Sequence, residues 1–250
     1  MRFASYALAG HSGLALHTDA GWHGLTEADA GFPGTLQSLI ASGGDALAGA
    51  AEGLAKAPLV DLGKVTLLPP LSNPEKIICI GLNYKDHSAE SGFKQPEYPT
   101  VFGRFNSSLI AHGAPILRPA FSEQLDYEGE LVVVVGKTAR DVAEADALAC
   151  VAGYSIFNDA SIRDYQFKSP QWTPGKNFDD TGAFGPDFVT ADALPFLPRP
   201  RFFIFGRVEL LCEDVRHLRQ VVREFEVVPI QVLVPHVVRP CVIRPTGQGQ

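Results

Sequence analysis

Two glutamates, Glu128 and Glu130, stand at the entrance of an apolar run, residues 131–135, in which four of the five residues are valine. A short apolar run bounded by glycine is typical of a buried strand. Side chains two positions apart on a strand point to the same face, so the two carboxylates are predicted to project together. Like charges held this close repel each other, and a hard divalent cation with oxygen ligands would neutralise them. A solvated strand end is the alternative, and this pair alone does not separate the two interpretations.

A third acid, Asp159, follows the next predicted strand of the chain. An acid at the end of a second buried strand would supply the further carboxylate that a cation site needs. Just beyond it, residues 161–166 have the pattern of a short helix, on which Arg163 and Gln166 would share a face.

An imidazole and a carboxylate are three positions apart at His87 and Glu90, after a predicted buried strand at residues 76–81. On a helical turn the two side chains would touch. A carboxylate beside an imidazole fixes its tautomer and raises its basicity, which makes a general base near neutral pH. The alternative is a surface His/Glu pair, and the spacing alone favours that alternative.

Two predicted loops carry further candidates. Lys176 lies beside a glycine, where a lysine can hold a substrate carboxylate or stabilise an enolate, although a lone loop lysine is ordinarily solvated. Arg104 and Ser107 lie in a polar, glycine-containing loop that could cover a site. Solvated side chains are the preferred interpretation there, and ligand contact is the alternative.

The elements that would position these residues fall into two parts, divided by a proline-rich linker. Residues 1–70 combine short strands with an Ala/Leu-rich helical segment interrupted at Gly43-Gly44, which predicts a small N-terminal domain. Residues 75–194 are predicted to form the main domain. Within it, Asp141 is predicted to be the N-cap of a helix that runs to about Cys150.

The composition changes abruptly after residue 194. The first 193 residues contain 28 alanines and the remaining 57 contain none. Apolar runs in this tail are broken by Pro229, Pro235 and Pro240, which a central strand does not tolerate. Residues 195–250 are therefore predicted to be an atypical tail, translated in another reading frame or present as an unusual extension, that closes the main domain incompletely.

Composition restricts the class of protein. With 250 residues, 46% of them hydrophobic, the chain can bury a proper core. The formal charge of −7 disfavours nucleic acid or an anionic membrane as a partner. The four cysteines show no paired spacing, and neither a signal segment nor a membrane-spanning run is recognisable, so a cytoplasmic protein is expected.

Four motifs occur in order along the chain: G-x-N-Y-x-x-H-x-x-E at 81–90, D-Y-E-G-E-L at 126–131, G-Y-x-x-x-N-D-x-S-x-R-D-x-Q at 153–166 and W-x-x-G-K-N-F-D at 172–179. Together they resemble the fumarylacetoacetate hydrolase superfamily, and most closely its bacterial branch of 2-oxo acid hydrolases, hydratases, isomerases and decarboxylases. The resemblance implies a mainly β (α+β) fold, a mixed β-sandwich roll preceded by a small N-terminal α+β domain, and a homodimer.

The resemblance also implies roles for individual residues. Mg²⁺ or Mn²⁺ would be held by Glu128, Glu130 and Asp159, and His87, oriented by Glu90, would be the base. Substrate would be contacted by Lys176, Tyr84, Arg163 and Gln166.

The implied activity is cleavage of a C–C bond in a 2-oxo or 1,3-dicarbonyl acid through a metal-stabilised enolate. Isomerisation of 2-hydroxyhepta-2,4-diene-1,7-dioate and decarboxylation of oxaloacetate are alternatives, because the same metal and base serve all three reactions. The tail lacks the T-G-T-P-x-G-V-G loop that the superfamily places near its substrate. A catalytically impaired member, or a remnant that only binds metal or ligand, is therefore a further alternative.

Overall fold

The computed structural model describes residues 1–82, 98–194 and 230–234, and strands dominate these residues. Twelve of the described strands form one sheet with the path β3-β2-β1-β13-β10-β9-β14-β5-β6, from which β4, β7 and β12 branch, while β8 and β11 pair separately. The strands are β1 (Arg2–Leu8), β2 (His11–Thr18), β3 (Gly21–Thr26), β4 (Thr66–Leu67), β5 (Lys76–Gly81), β6 (Thr100–Arg104), β7 (Leu109–Ala111), β8 (Leu125–Asp126), β9 (Gly129–Val135), β10 (Val151–Asp159), β11 (Ser161–Ile162), β12 (Gly182–Phe184), β13 (Phe188–Thr190) and β14 (Ile230–Val234). The predicted mainly β, α+β class is confirmed.

Four α-helices accompany the strands in the described part of the chain: α1 (Leu36–Ser42), α2 (Gly44–Leu54), α3 (Arg163–Gln166) and α4 (Thr173–Lys176). The predicted interruption of the first helical segment is confirmed, because Gly43 separates α1 from α2 with a backbone φ of +98°. Glycine adopts this left-handed conformation without a steric penalty. None of the helices in the described residues is long and apolar enough to cross a membrane.

The core joins the N-terminal hairpins to the central strands. On β9, Val132 and Val134 point to a cluster that includes Phe3, Leu36 and Phe157, and all five side chains are at most 4% exposed. The intervening Leu131 and Val133 pack on the other face against Tyr154. Strand β1 pairs antiparallel with β13, so the first hairpin is continuous with the main sheet. The predicted boundary near residue 70 stays a prediction.

The tail contributes one described strand to the centre of the sheet. Strand β14 pairs parallel with β9, where Val232 is opposite Val133, and antiparallel with β5, where Val232 is opposite Ile78. The five residues of this strand, Ile230–Val234, contain no proline, so each of them has a backbone N–H group. The prediction that the tail closes the main domain incompletely stays a prediction.

The predicted helix that ends at about Cys150 is found in part, but its predicted start and its N-cap at Asp141 are wrong. The segment Glu144–Cys150 is a 3₁₀ helix, and the residue before it is Ala143, which makes no side-chain cap. Asp141 has a φ of +52°, whereas an N-cap residue needs an extended backbone.

Candidate active site

Strand pairing brings the three predicted carboxylates together. Strands β9 and β10 are antiparallel, with Phe157 opposite Glu130, so the end of β10 lies beside the start of β9. The Asp159 N–H donates a hydrogen bond to the Glu128 carbonyl at 2.9 Å, which holds the end of β10 beside the start of β9. One carboxylate oxygen from each of Glu128, Glu130 and Asp159 lies within 4.8 Å of the other two.

The cluster of these three carboxylates is largely buried. Asp159 is fully buried, Glu130 is 9% exposed, and Glu128 is half-buried. Buried carboxylates need charged partners or hydrogen bonds, because an isolated ion in a low-dielectric interior is costly. Three cationic side chains provide these partners.

Lys176 is the first of the cations, and it is buried instead of solvated. Its Nζ donates to Glu128 Oε2 at 2.8 Å and to Asp159 Oδ2 at 2.7 Å, and its side chain is only 2% exposed. Burial by itself would lower the pKa of Lys176, but Asp159, Glu128 and Glu130 more than offset burial, so the pKa lies above its usual value. The ammonium is therefore charged at neutral pH.

Close helix packing places Lys176 there. The residue ends α4, which packs on α3, and a Cβ on Gly175 would lie under 3.0 Å from the backbone of Gln166. Only glycine allows this approach without a shift of the chain. Trp172, just before α4, lies against Gly81 at the end of β5 in the same way.

Arg104 is the second cation, and its position contradicts the preferred interpretation of a solvated loop residue. It is the last residue of β6, and its side chain is fully buried. Its Nη1 donates to Asp159 Oδ1 and, at 3.3 Å, to the Ala160 carbonyl, and its Nη2 donates to Thr181 Oγ1 at 2.8 Å. Ser107 in the same segment is exposed, as expected.

The signal that could have identified Arg104 is local. The segment T-V-F-G-R reads as a short strand once β-propensity is considered, and an arginine at the inward end of a strand needs a buried acid. The sequence does not show which acid that is.

Arg163 is the third cation, and it confirms the predicted short helix. Its Nη1 donates to Gln166 Oε1 at 2.7 Å, as expected for two residues that share a helix face. Its Nη2 lies 2.6 Å from Glu128 Oε1 and donates to Asp126 Oδ2 at 2.7 Å. Gln166 is 3% exposed and is therefore held beside the carboxylates.

These contacts keep Asp159 ionised. Burial would raise the pKa of the Asp159 carboxyl, but Lys176 and Arg104 together outweigh burial and hold the pKa below its usual value. Asp159 thus presents ionised oxygens, which are the donors that a hard divalent cation prefers.

The donor set fits a divalent metal ion. Three carboxylates, from β9, from the residue just before it and from β10, converge on one point, as a site for a hard divalent cation requires. Since Lys176 already contacts one oxygen each of Glu128 and Asp159, a bound cation would share or displace these contacts.

Three predicted site residues, Tyr84, His87 and Glu90, lie outside the described residues. Strand β5, which precedes them in the sequence, ends at Gly81, next to Trp172. Their roles stay predictions.

Comparison with known proteins gives consistent matches. Residues 76–202 match the fumarylacetoacetate (FAA) hydrolase C-terminal family. The mitochondrial oxaloacetate tautomerase Fahd2a of Rattus norvegicus is 37% identical over 186 residues, which are 74% of this chain and 59% of the rat protein. The chain thus spans less than two thirds of the length of this curated relative.

Two solved structures extend the similarity to the fold. The fumarylacetoacetate hydrolase of Exiguobacterium antarcticum is 33% identical, with a TM-score of 0.63, over 77% of this chain and 68% of that one. The 5-carboxymethyl-2-hydroxymuconate delta-isomerase of Mycobacterium smegmatis is 25% identical, with a TM-score of 0.58, over 94% of this chain and 88% of that one. On the sequence match, which covers half of its residues, the chain belongs to the fumarylacetoacetate hydrolase family.

Proposed function

We propose that the protein is a divalent-metal-dependent enzyme that moves a proton on the carbon next to the carbonyl of a small 2-oxo acid. The observation that carries this proposal is the convergence of Glu128, Glu130 and Asp159 on one point, with the ammonium of Lys176 beside it. The names of two similar proteins, an oxaloacetate tautomerase and a delta-isomerase, favour proton transfer as the reaction.

A divalent cation held by the three carboxylates would supply positive charge next to the carbonyl oxygen and so make the neighbouring C–H more acidic. Lys176 stays protonated and donates hydrogen bonds from its buried ammonium, either to a substrate carboxylate or to an oxygen that gains negative charge. Gln166 and Arg163 line the same side of the cluster and orient the substrate. We assign the proton transfer to His87, with Glu90 as its partner, because of their spacing in the sequence and the family resemblance.

A second candidate function is the hydrolysis of a C–C bond in a 1,3-dicarbonyl acid. The similarity to the fumarylacetoacetate hydrolase of Exiguobacterium antarcticum favours it. The same groups would serve both reactions, but hydrolysis adds a water molecule and splits the substrate, whereas proton transfer leaves the carbon skeleton intact. Product analysis therefore separates the two functions.

The test is turnover of enol-oxaloacetate and of an acylpyruvate, with Mn²⁺ or Mg²⁺ and after treatment with EDTA. We expect conversion of enol to keto oxaloacetate that requires the metal. The Glu128→Gln variant should lose activity by about 100-fold or more, because a metal contributes several kcal/mol to the barrier. The matched control is Glu52→Gln, which changes an exposed residue of α2 and should leave turnover intact.

Equal turnover in EDTA and in Mn²⁺, or full turnover by a folded Glu128→Gln variant, would contradict the metal-dependent mechanism. Cleavage of the acylpyruvate without enol–keto conversion would instead select the second candidate function. Mn²⁺ binding without turnover of either substrate would select the impaired member that the atypical tail suggests.

A further inference from the structure

Arg104 contacts the carboxylate cluster through Oδ1 of Asp159, whereas Lys176 contacts Oδ2 of the same residue. Its guanidinium is fully buried and meets acceptors on every side: Asp159 Oδ1, the Ala160 carbonyl, Thr181 Oγ1 and, from Nε at 3.2 Å, Ser108 Oγ. The surroundings leave it little room. A Cβ on Gly182 would lie 3.0 Å from Nη2 of Arg104, so even a methyl group at this position would press on the guanidinium.

The two oxygens of Asp159 have different partners. Oδ1 accepts from Arg104, whereas Oδ2 accepts from Lys176 at 2.7 Å, on the side where Glu128 also contacts the lysine. Rotation of an aspartate carboxylate about its last torsion is intrinsically soft. The contacts with Arg104 on Oδ1 and with Lys176 on Oδ2 therefore fix the orientation of the carboxylate plane.

We propose that Arg104 is a positioning residue. Its guanidinium fork holds Oδ1 of Asp159 and thereby directs Oδ2 to the metal position shared with Glu128 and Glu130. This inference rests on the proposed function, since it assumes that the three carboxylates hold a divalent cation. The fork is suited to the task because it is planar and its donors are fixed relative to one another. Thr181 and Ser108 in turn fix the fork.

Charge and orientation act in opposite directions, which makes the inference testable. If Arg104 only balanced charge, its removal would leave the cluster more negative and would strengthen the binding of a cation. If Arg104 positions Asp159, its removal should weaken the binding of a cation by about 10- to 100-fold, as is typical for residues that orient metal ligands. The sign of the change thus separates the two roles.

The experiment is titration of the 250-residue chain with Mn²⁺. Binding is measured by calorimetry and by the electron paramagnetic resonance signal of the free ion. The parent protein, Arg104→Met and Arg104→Lys are compared at a temperature at which circular dichroism shows each to be folded. We expect the Kd for Mn²⁺ to rise about 10- to 100-fold in Arg104→Met. It should rise less in Arg104→Lys, because the lysine ammonium can still donate one hydrogen bond to Asp159 Oδ1, although it lacks the planar fork.

The control is Arg140→Met, which removes an arginine whose side chain is 91% exposed and should leave the Kd unchanged. An unchanged or lower Kd in Arg104→Met overturns the positioning role. If Arg104→Met does not fold, Arg104→Lys decides the question: a Kd raised several-fold supports the role of the fork, and an unchanged Kd overturns it. Absence of Mn²⁺ binding by the parent protein would instead reject the metal site itself, and with it the proposed function.

Discussion

Replacement of Lys176 by methionine should destabilise the protein when no metal is added. The change keeps the apolar stem but removes an ammonium that donates to Glu128 Oε2 and Asp159 Oδ2. Removing one partner of a buried ion pair costs about 3–5 kcal/mol, because the other charge stays buried without compensation. Asp159 keeps its contact with Arg104, and Glu128 keeps its contact with Arg163. We therefore expect the lower end of that range, about 3 kcal/mol.

The assay is thermal unfolding in EDTA, followed by circular dichroism. For a chain of this length a loss of about 3 kcal/mol lowers the Tm by roughly 6–12 °C. The matched control, Lys64→Met, removes a lysine whose side chain is 82% exposed and whose partner Asp61 is also on the surface. This control should leave the Tm unchanged, because exposed ion pairs add little to stability.

Addition of Mn²⁺ extends the test. A divalent cation at the same carboxylates would replace the lost positive charge, so Lys176→Met should gain more stability from Mn²⁺ than the parent protein does. A concentration of 100 times Kd would add about 2.7 kcal/mol. A Lys176→Met variant with the parent's Tm in EDTA would refute the reasoning, since the ammonium would then not compensate the buried carboxylates.

Two further outcomes follow from the packing around this cluster. Gly175→Ala should lower the Tm and weaken Mn²⁺ binding, because the added Cβ would meet the backbone of α3. The control Gly49→Ala lies in open space on α2 and should raise the stability by about 0.5–1 kcal/mol. Equal stability of the two variants would contradict the close packing at Gly175. Burial, with the nearby carboxylates, raises the pKa of the Cys79 thiol well above its usual value. At neutral pH iodoacetamide should therefore label the half-buried Cys150 faster than Cys79 in the folded protein. Mass spectrometry of the two peptides measures both rates, and faster labelling of Cys79 would contradict its burial.

Local patterns in the sequence determined the central elements of the site. The run of valines after Glu130 and the return strand that ends at Asp159 are confirmed as β9 and β10. The pair Arg163 and Gln166 shares a helix face as its spacing indicated. These features depend on periodicity along a few residues, which a sequence displays directly. The active-site roles of His87 and Glu90, the boundary near residue 70 and the homodimer stay predictions.

Only the tertiary structure decided how the charges are compensated. Spacing alone favoured solvated loop positions for Lys176 and Arg104, and only the family resemblance implied a site role for Lys176. Both are buried against Asp159, at separations of 17 and 55 positions along the chain. Such contacts depend on which strands pair, in which register, and on how closely α4 packs on α3. No local pattern encodes these choices, because the free energy that selects them is gained only when distant segments bury their charges and apolar faces together.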